Sequence, residues 1–253
     1  MEVLPRSYRN YYEPFLGSGS LFFLLRPRRA FLSDSCAELV ETFEAVRDDV
    51  SAVLRQLTPL KPDRDLFYAI RSNRSEERFA RAAEFVYLNK TCWNGLYRVN
   101  SRGEFNVPYG LPKTDHIVDE INLVACSSAL GPKRVRLRCC DFEAALRNVR
   151  EGDLVFLDPP YVTRHNNNGF IDYNEKLFSW TDQERLAQIA RQLADNGAHV
   201  LVTNAFHRDV IDLYDGFNVA SIDRASTLAS NATKRSRVGE ALLWLHGSEV
   251  NVG

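Results

Sequence analysis

The chain of 253 residues is 45% hydrophobic and 26% charged, with a formal net charge of -1. That much apolar material supports one large folded domain, or a core domain carrying an insertion, and excludes an intrinsically disordered chain. The charge balance excludes a uniformly basic coat for nucleic acid but leaves room for local basic patches.

Residues 1–15 have no apolar signal-peptide core. No run of about 18 apolar residues follows, so no membrane span is expected and the protein reads as cytoplasmic. Residues 11–15 read as a short strand, a loop at Gly17 and Gly19 follows, and a helix starts over 21–25. Residues 30–34 read as a second strand. Leu39, Phe43, Val46, Val50, Val53 and Leu57 then recur every three or four positions, the stripe of an amphipathic helix. Strand, helix, strand, helix at this spacing predicts a parallel sheet covered by helices.

The pattern breaks at Thr58-Pro-Leu-Lys-Pro-Asp63. From there to residue 132 the chain is helical, then rich in turn residues. It is also mildly basic, with nine Lys/Arg against five Asp/Glu over 61–102. Alternation resumes with a strand at 134–139, a helix at 141–149 and a short apolar strand at 153–157. Thr181-Asp-Gln-Glu184 reads as a capping box, followed by a buried stripe of Leu186, Ile189, Ala190 and Leu193. A strand at 198–203, a short helix at 208–214 and a closing antiparallel pair at 217–222 and 241–245 complete the pattern. Residues 1–58 and 133–253 thus form an α/β domain, interrupted by an insert over 59–132. The cysteines, Cys36, Cys92, Cys126, Cys139 and Cys140, form neither a CxxC pair nor a zinc-like spacing. They read as reduced, mostly buried thiols, and no metal site is expected.

Glu13-Pro-Phe-Leu-Gly-Ser-Gly19 falls where α/β sheets bind ligands, past the carboxyl end of the first strand. Phe22 stands where a dinucleotide fingerprint needs its third glycine, and no Gly-Lys-Ser/Thr of a Walker loop occurs. Neither pyrophosphate nor triphosphate is favoured. Asp34, ending the second strand, fits either a ligand for ribose hydroxyls or the N-cap of the next helix. A nucleoside ligand without a phosphate chain fits S-adenosylmethionine.

The glycine loop is followed by Leu88-Asn-Lys-Thr-Cys-Trp-Asn-Gly-Leu-Tyr-Arg-Val-Asn-Ser-Arg-Gly-Glu-Phe-Asn-Val-Pro-Tyr-Gly110 and then by Asp158-Pro-Pro-Tyr161. In this order, FxGxG before DPPY with the insert between, the chain resembles the Dam-type, adenine-specific DNA methyltransferases of the alpha class. The resemblance runs from about residue 4 to residue 245. It implies a Rossmann-like, S-adenosylmethionine-dependent methyltransferase sheet with an inserted helical and β-hairpin DNA-recognition domain. The implied activity is transfer of a methyl group to the 6-amino group of adenine in a short duplex site, GATC-like sites included, after base flipping.

Adenine's amino nitrogen is a poor nucleophile because its lone pair is conjugated into the ring. Asp158 can accept one amine hydrogen and, by the resemblance, the Pro159 carbonyl the other. Together they favour a pyramidal nitrogen and stabilise the positive charge that grows there. Pro159 and Pro160 fix φ and lack N–H groups. Tyr161 offers a face on which a flipped base can stack. Asp158, Pro159, Pro160 and Tyr161 are therefore the candidate catalytic residues. The resemblance implies a cofactor site made of Glu13, Phe15, Gly17, Gly19, Asp34, Asp141, Phe142 and Asp158. Asp141 would meet the cofactor's adenine amine and Phe142 its ring; alternatively, Asp141 is the N-cap of the following helix. DPPY alone also fits amine methylation of another base, and the related NPPY occurs in protein-glutamine methyltransferases. The hairpin block directs the choice to adenine in duplex DNA.

Residues 94–108 read as a β-hairpin, with 99–103 as its turn. A two-stranded ribbon fits the major groove, where arginine can bond two acceptors of guanine. Arg98 is the first candidate for a base contact. By resemblance the positions of Asn94, Leu96 and Pro108 contribute as well, and Lys90 and Arg102 read as phosphate contacts. Leu96 and Phe105 fit equally the packed face of the hairpin. Arg64, Arg71, Arg74, Arg78 and Arg81 read as a solvated helix surface. Arg224, Lys234, Arg235 and Arg237 read as either a phosphate-binding loop or an ordinary surface loop.

Family members begin with a KWAGGK-like segment that covers the methionine end of the cofactor, and this sequence starts at what usually follows it. The expectation on that ground is weak cofactor binding, with a catalytically impaired DNA-binding relative as the alternative to an active enzyme. Double-stranded DNA is the expected partner, a cognate restriction endonuclease is compatible, and a monomer is expected.

Overall fold

A computed structural model describes residues 3–100, 104–114, 117–131, 133–162, 178–224 and 238–247. In chain order its main elements are β1 (Tyr11–Glu13), α1 (Ser20–Leu25), β2 (Ala30–Asp34), α2 (Ala37–Leu57), α3 (Arg64–Ser72) and α4 (Arg78–Thr91). Then come α5 (Glu120–Ala129), β3 (Val135–Cys139), α6 (Phe142–Leu146), β4 (Leu154–Leu157), α7 (Trp180–Asp195) and β5 (His199–Ala205). A helical turn (Arg208–Ile211), β6 (Asn218–Arg224) and β7 (Val238–Leu245) follow. None of the described helices is long and apolar enough to cross a membrane. The chain packs as two compact units, Met1–Ser35 with Cys140–Gly253, and Cys36–Cys139.

In the first unit the strands run β2-β1-β4-β5-β7-β6. β1 is parallel to β2 and β4, and β4 is parallel to β5. β7 then runs antiparallel to both β5 and β6, the closing pair that the sequence predicts. Tyr11, Tyr12 and Glu13 of β1 are all buried, as a strand covered on both faces must be. Asp153, just before β4, accepts hydrogen bonds from the Asn10 amide at 2.7 Å and the Asn10 backbone at 3.1 Å. That contact ties together two points 143 positions apart.

α7 presses Leu186, Ala187, Ala190 and Ala194 into a core shared with Tyr12, Leu157, Val202 and Leu243. Its capping box differs from the sequence expectation. Ser179 is the N-cap and Asp182 the reciprocal partner, because Ser179 is extended at φ -83 and ψ 170 while Thr181 already lies in the first helical turn. The helix expected over 141–149 closes after Leu146. Only Cys92 of the five cysteines is buried, which corrects the expectation of mostly buried thiols. The others lie at chain segments that turn their side chains toward solvent at least in part.

The second unit is built around α2, which bends at Asp49 (φ -152). The Asp49 carboxylate accepts the Ala52 amide at 2.9 Å and restarts the helix. Asp63 caps α3 and Glu77 caps α4 with their side chains. Arg74 is not a solvated surface arginine. It pairs with Glu38 of α2 at 2.5 Å and Glu84 of α4 at 3.0 Å, and donates to the Arg81 carbonyl at 2.9 Å. Arg71 likewise donates to the Val107 carbonyl and lies over the Tyr68 ring.

Candidate active site

β1 and β4 are neighbours, yet the chain leaves β1 toward β2 on one side and β4 toward β5 on the other. Such a switch point opens a crevice beyond the carboxyl ends of the two strands. The glycine loop follows β1, and Asp158-Pro-Pro-Tyr161 follows β4, so the topology brings the two motifs to the same carboxyl end of the sheet.

Gly17 and Gly19 both have positive φ, +45 and +67, which L side chains adopt only under strain. A side chain added at Gly17 would meet open space, whereas at Gly19 it would lie 3.1 Å from the Phe23 ring. Gly19 is also the N-cap of α1 and contributes no side chain to it. Asp34 is not the cap of α2, which is Cys36. Its Oδ2 instead accepts the Gly17 amide at 3.0 Å and fastens the loop to the end of β2. Phe15 stacks on Phe142 at 5.4 Å and meets Phe178 edge-on at 5.6 Å.

Glu13 is 2% exposed. Burial raises its pKa to about 8; the charge of Asp158 adds to this, while the Tyr11 hydroxyl, donating at 2.9 Å, opposes it. Asp141 caps α6 through the Glu143 amide. Its other oxygen meets Arg185 at 2.9 Å, and that guanidinium lies 4.3 Å over the Phe142 ring and also reaches Asp182 and Glu143.

Asp158 is exposed, Pro159 buried and Pro160 half-buried. The Thr203 hydroxyl of β5 donates to Asp158 Oδ1 at 2.6 Å. Tyr161 donates its hydroxyl to Glu240 of β7 at 2.5 Å and lies 3.5 Å from Asp158 Oδ1. Burial, then the charges of Asp158 and Glu240, keep this hydroxyl protonated far above its ordinary range.

In the second unit, antiparallel bridges join Val99 to Phe105 and Cys92 to Tyr109. Asn100 and Asn106 amides donate to the Glu104 and Arg98 carbonyls at 2.8 and 3.0 Å, so the chain doubles back as a ribbon. Arg98 Nε donates to Asn106 Oδ1 at 2.8 Å, which sets the plane of the guanidinium. Asn94 has φ +54 and is exposed, as are Lys90 and Pro108. Leu96 is half-buried; Phe105 is buried against Tyr97 and Phe67, the packed face of the ribbon. Arg102, Lys234, Arg235 and Arg237 lie outside the described residues.

A sequence model for the D12 class of N6 adenine-specific DNA methyltransferases matches residues 1–228. The chain belongs to this family. Among its relatives is the Type II methyltransferase M1.LlaDCHI of Lactococcus lactis, 31% identical over 97% of this chain and 89% of that protein. The Type II methyltransferase M.MjaIII of Methanocaldococcus jannaschii is 34% identical over 92% of this chain and 87% of its own length. The DNA adenine methylase of Serratia marcescens is 31% identical over 91% and 87%.

This adenine methyltransferase carries two side chains beyond the carboxyl end of β4 that its sequence patterns do not single out. Thr203 and Glu240 come from β5 and β7 and converge on Asp158 and Tyr161. A signal for Glu240 does exist, since it is a carboxylate inside the otherwise apolar run Val238-Gly-Glu-Ala-Leu-Leu-Trp-Leu245. Thr203, itself an ordinary β-former, carries none.

Proposed function

We propose that this D12-class enzyme methylates the 6-amino nitrogen of adenine in a short duplex DNA site, with S-adenosylmethionine as donor. The observation that carries the reading is Asp158, set at the end of β4 with the Thr203 hydroxyl on its Oδ1 at 2.6 Å, beside the glycine loop of β1. The residues present fit the donor. Gly17 faces open space on a backbone only glycine takes without strain, Phe15 and Phe142 offer stacked rings, and the exposed Asp158 carboxylate matches a cationic sulfonium. Glu13, Phe15, Gly17, Gly19, Asp34, Asp141, Phe142 and Asp158 would hold it. When bound, it would supply the methyl group of its sulfonium, whose sulfur is left as a neutral thioether, and the methylated nitrogen then sheds its extra proton to water.

The chain's own residues then do four things. Asp158 accepts one hydrogen of the adenine amine and the Pro159 carbonyl the other, which turns the nitrogen lone pair outward. As the nitrogen becomes cationic, the carboxylate stabilises it more than it stabilised the neutral amine, and that difference lowers the barrier. Pro159 and Pro160 restrict the loop to one shape before the base arrives. Tyr161, tethered through its hydroxyl, presents its ring to the flipped base.

Residues 59–132 are the DNA reader in this proposal. Arg98 leads the base contacts with Asn94, Leu96 and Pro108, and Lys90 and Arg102 hold phosphates. The test is to incubate duplex DNA with methyl-labelled donor and map the product by nuclease digestion and mass spectrometry, with GATC as the first site tried. Methyl on adenine N6 is expected, and Asp158→Ala should lower kcat by about a hundredfold or more without unfolding the protein. Label on any other atom, or full turnover by the Asp158→Ala enzyme, refutes the reading.

A further inference from the structure

Tyr161 has one hydroxyl proton and two carboxylates in reach. Glu240 Oε1 lies 2.5 Å from its oxygen and Asp158 Oδ1 lies at 3.5 Å, so the proton goes to Glu240. Glu240 is 7% exposed, in register between Ala205 of β5 and Ile222 of β6, with buried Ala241 next to it. A carboxylate in such a strand is costly to bury unless it is hydrogen-bonded, and an aliphatic residue would serve the sheet better. The position therefore calls for a role other than packing.

We propose that Glu240 is a positioning residue for methyl transfer, which draws the Tyr161 hydroxyl proton away from Asp158 and fixes the tyrosine ring beside it. This rests on the reading of Asp158 as the acceptor of the adenine amine. Rotation about the phenol C–O bond is easy, so without Glu240 the hydroxyl turns to the next carboxylate. A second strong donor on Asp158 Oδ1, added to Thr203, spreads the negative charge that the developing ammonium needs. The ring also loses the anchor that sets its angle toward the base. Both effects fall on the chemical step, because Glu240 itself touches neither DNA nor donor in this scheme.

The test is steady-state kinetics with duplex DNA on Glu240→Leu, Glu240→Gln, Tyr161→Phe and the two double variants. Glu240→Leu should lower kcat by about tenfold or more while cofactor and duplex affinities stay within about twofold. Glu240→Gln, whose amide oxygen still accepts from the hydroxyl, should fall less. In the Tyr161→Phe background no proton remains to be misdirected, so either Glu240 change should alter kcat by less than about threefold. An equal loss in both backgrounds marks a purely structural role and overturns the proposal. So does parental kcat in Glu240→Leu. If Glu240→Leu does not fold, Glu240→Gln with and without Tyr161→Phe gives the same comparison. Asp158→Ala separates the two levels. Full turnover by that variant sinks the reading of Asp158, whereas a loss of about a hundredfold or more in Asp158→Ala beside silent Glu240 changes sinks only the role of Glu240.

Discussion

Glu13 ends β1 with its carboxyl buried beside Asp158, and its pKa is pushed from 4.5 to about 8. Burial dominates, so the folded protein prefers the protonated acid while the unfolded chain ionises near the ordinary value. Between those two values the native state binds more protons than the unfolded one, and stability falls as pH rises through that window. Glu13→Gln keeps an acceptor for the Tyr11 hydroxyl and removes the titration. Thermal melts of ligand-free protein should show the two proteins alike in pH response below about pH 4.5. Above it the wild type should fall progressively relative to the Gln variant, by a few kcal/mol at about pH 8.5 compared with the difference below about pH 4.5. Parallel melting curves across that range would mean that Glu13 is not buried as a proton-binding acid. Asp34, also at a strand end, is half-buried and acts differently, as the clamp on Gly17.

At the scale of elements, β2 and the closing β6–β7 pair were legible because apolar runs of strand length stand between turn residues. α2 was legible from its spacing, although the bend at Asp49 redistributes the stripe: Val46, Val53 and Leu57 are buried while Leu39, Phe43 and Val50 are half-buried. The sequence pattern places the cap of α7 two residues late because Ser179 and Thr181 are both good caps, and only backbone angles choose between them. Thr203 and Glu240 were not legible as neighbours of the motif. Their partners lie 45 and 79 positions away, and strand order alone decides who meets whom. The ribbon of the second unit gives a further prediction. Gly110 donates to the Thr91 carbonyl, and a Cβ there would press on the Cys92 carbonyl and lie 2.7 Å from the Trp93 nitrogen. Backbone cannot yield as a flexible side chain can. Gly110→Ala should destabilise the protein by about 1–3 kcal/mol in urea titration and weaken duplex binding more than cofactor binding. Wild-type stability in that variant would show that the base of the ribbon can shift.

For the whole molecule, a net charge of -1 gives no long-range pull toward DNA, so phosphate contacts must be local. Lys90 is exposed at the last turn of α4. Lys90→Ala should weaken binding equally for cognate and unrelated duplexes and reduce the slope of log K against log salt by about 0.9. Fluorescence anisotropy over a salt series measures it, and an unchanged slope removes Lys90 from the phosphate contacts. The sheet has a consequence in time as well. β1 takes β4 as a neighbour across a separation such as that of Asn10 from Asp153, 143 positions. At roughly 5–20 residues per second, a ribosome needs on the order of ten seconds to deliver the second partner. All of Cys36–Cys139 has emerged by then, so the second unit has its complete sequence while Tyr11 still lacks half of its shelter. Asp158 comes later, Thr203 later again and Glu240 later still. The nascent chain therefore holds the sequence of its ribbon well before it can bring Thr203 and Glu240 onto Asp158 and Tyr161.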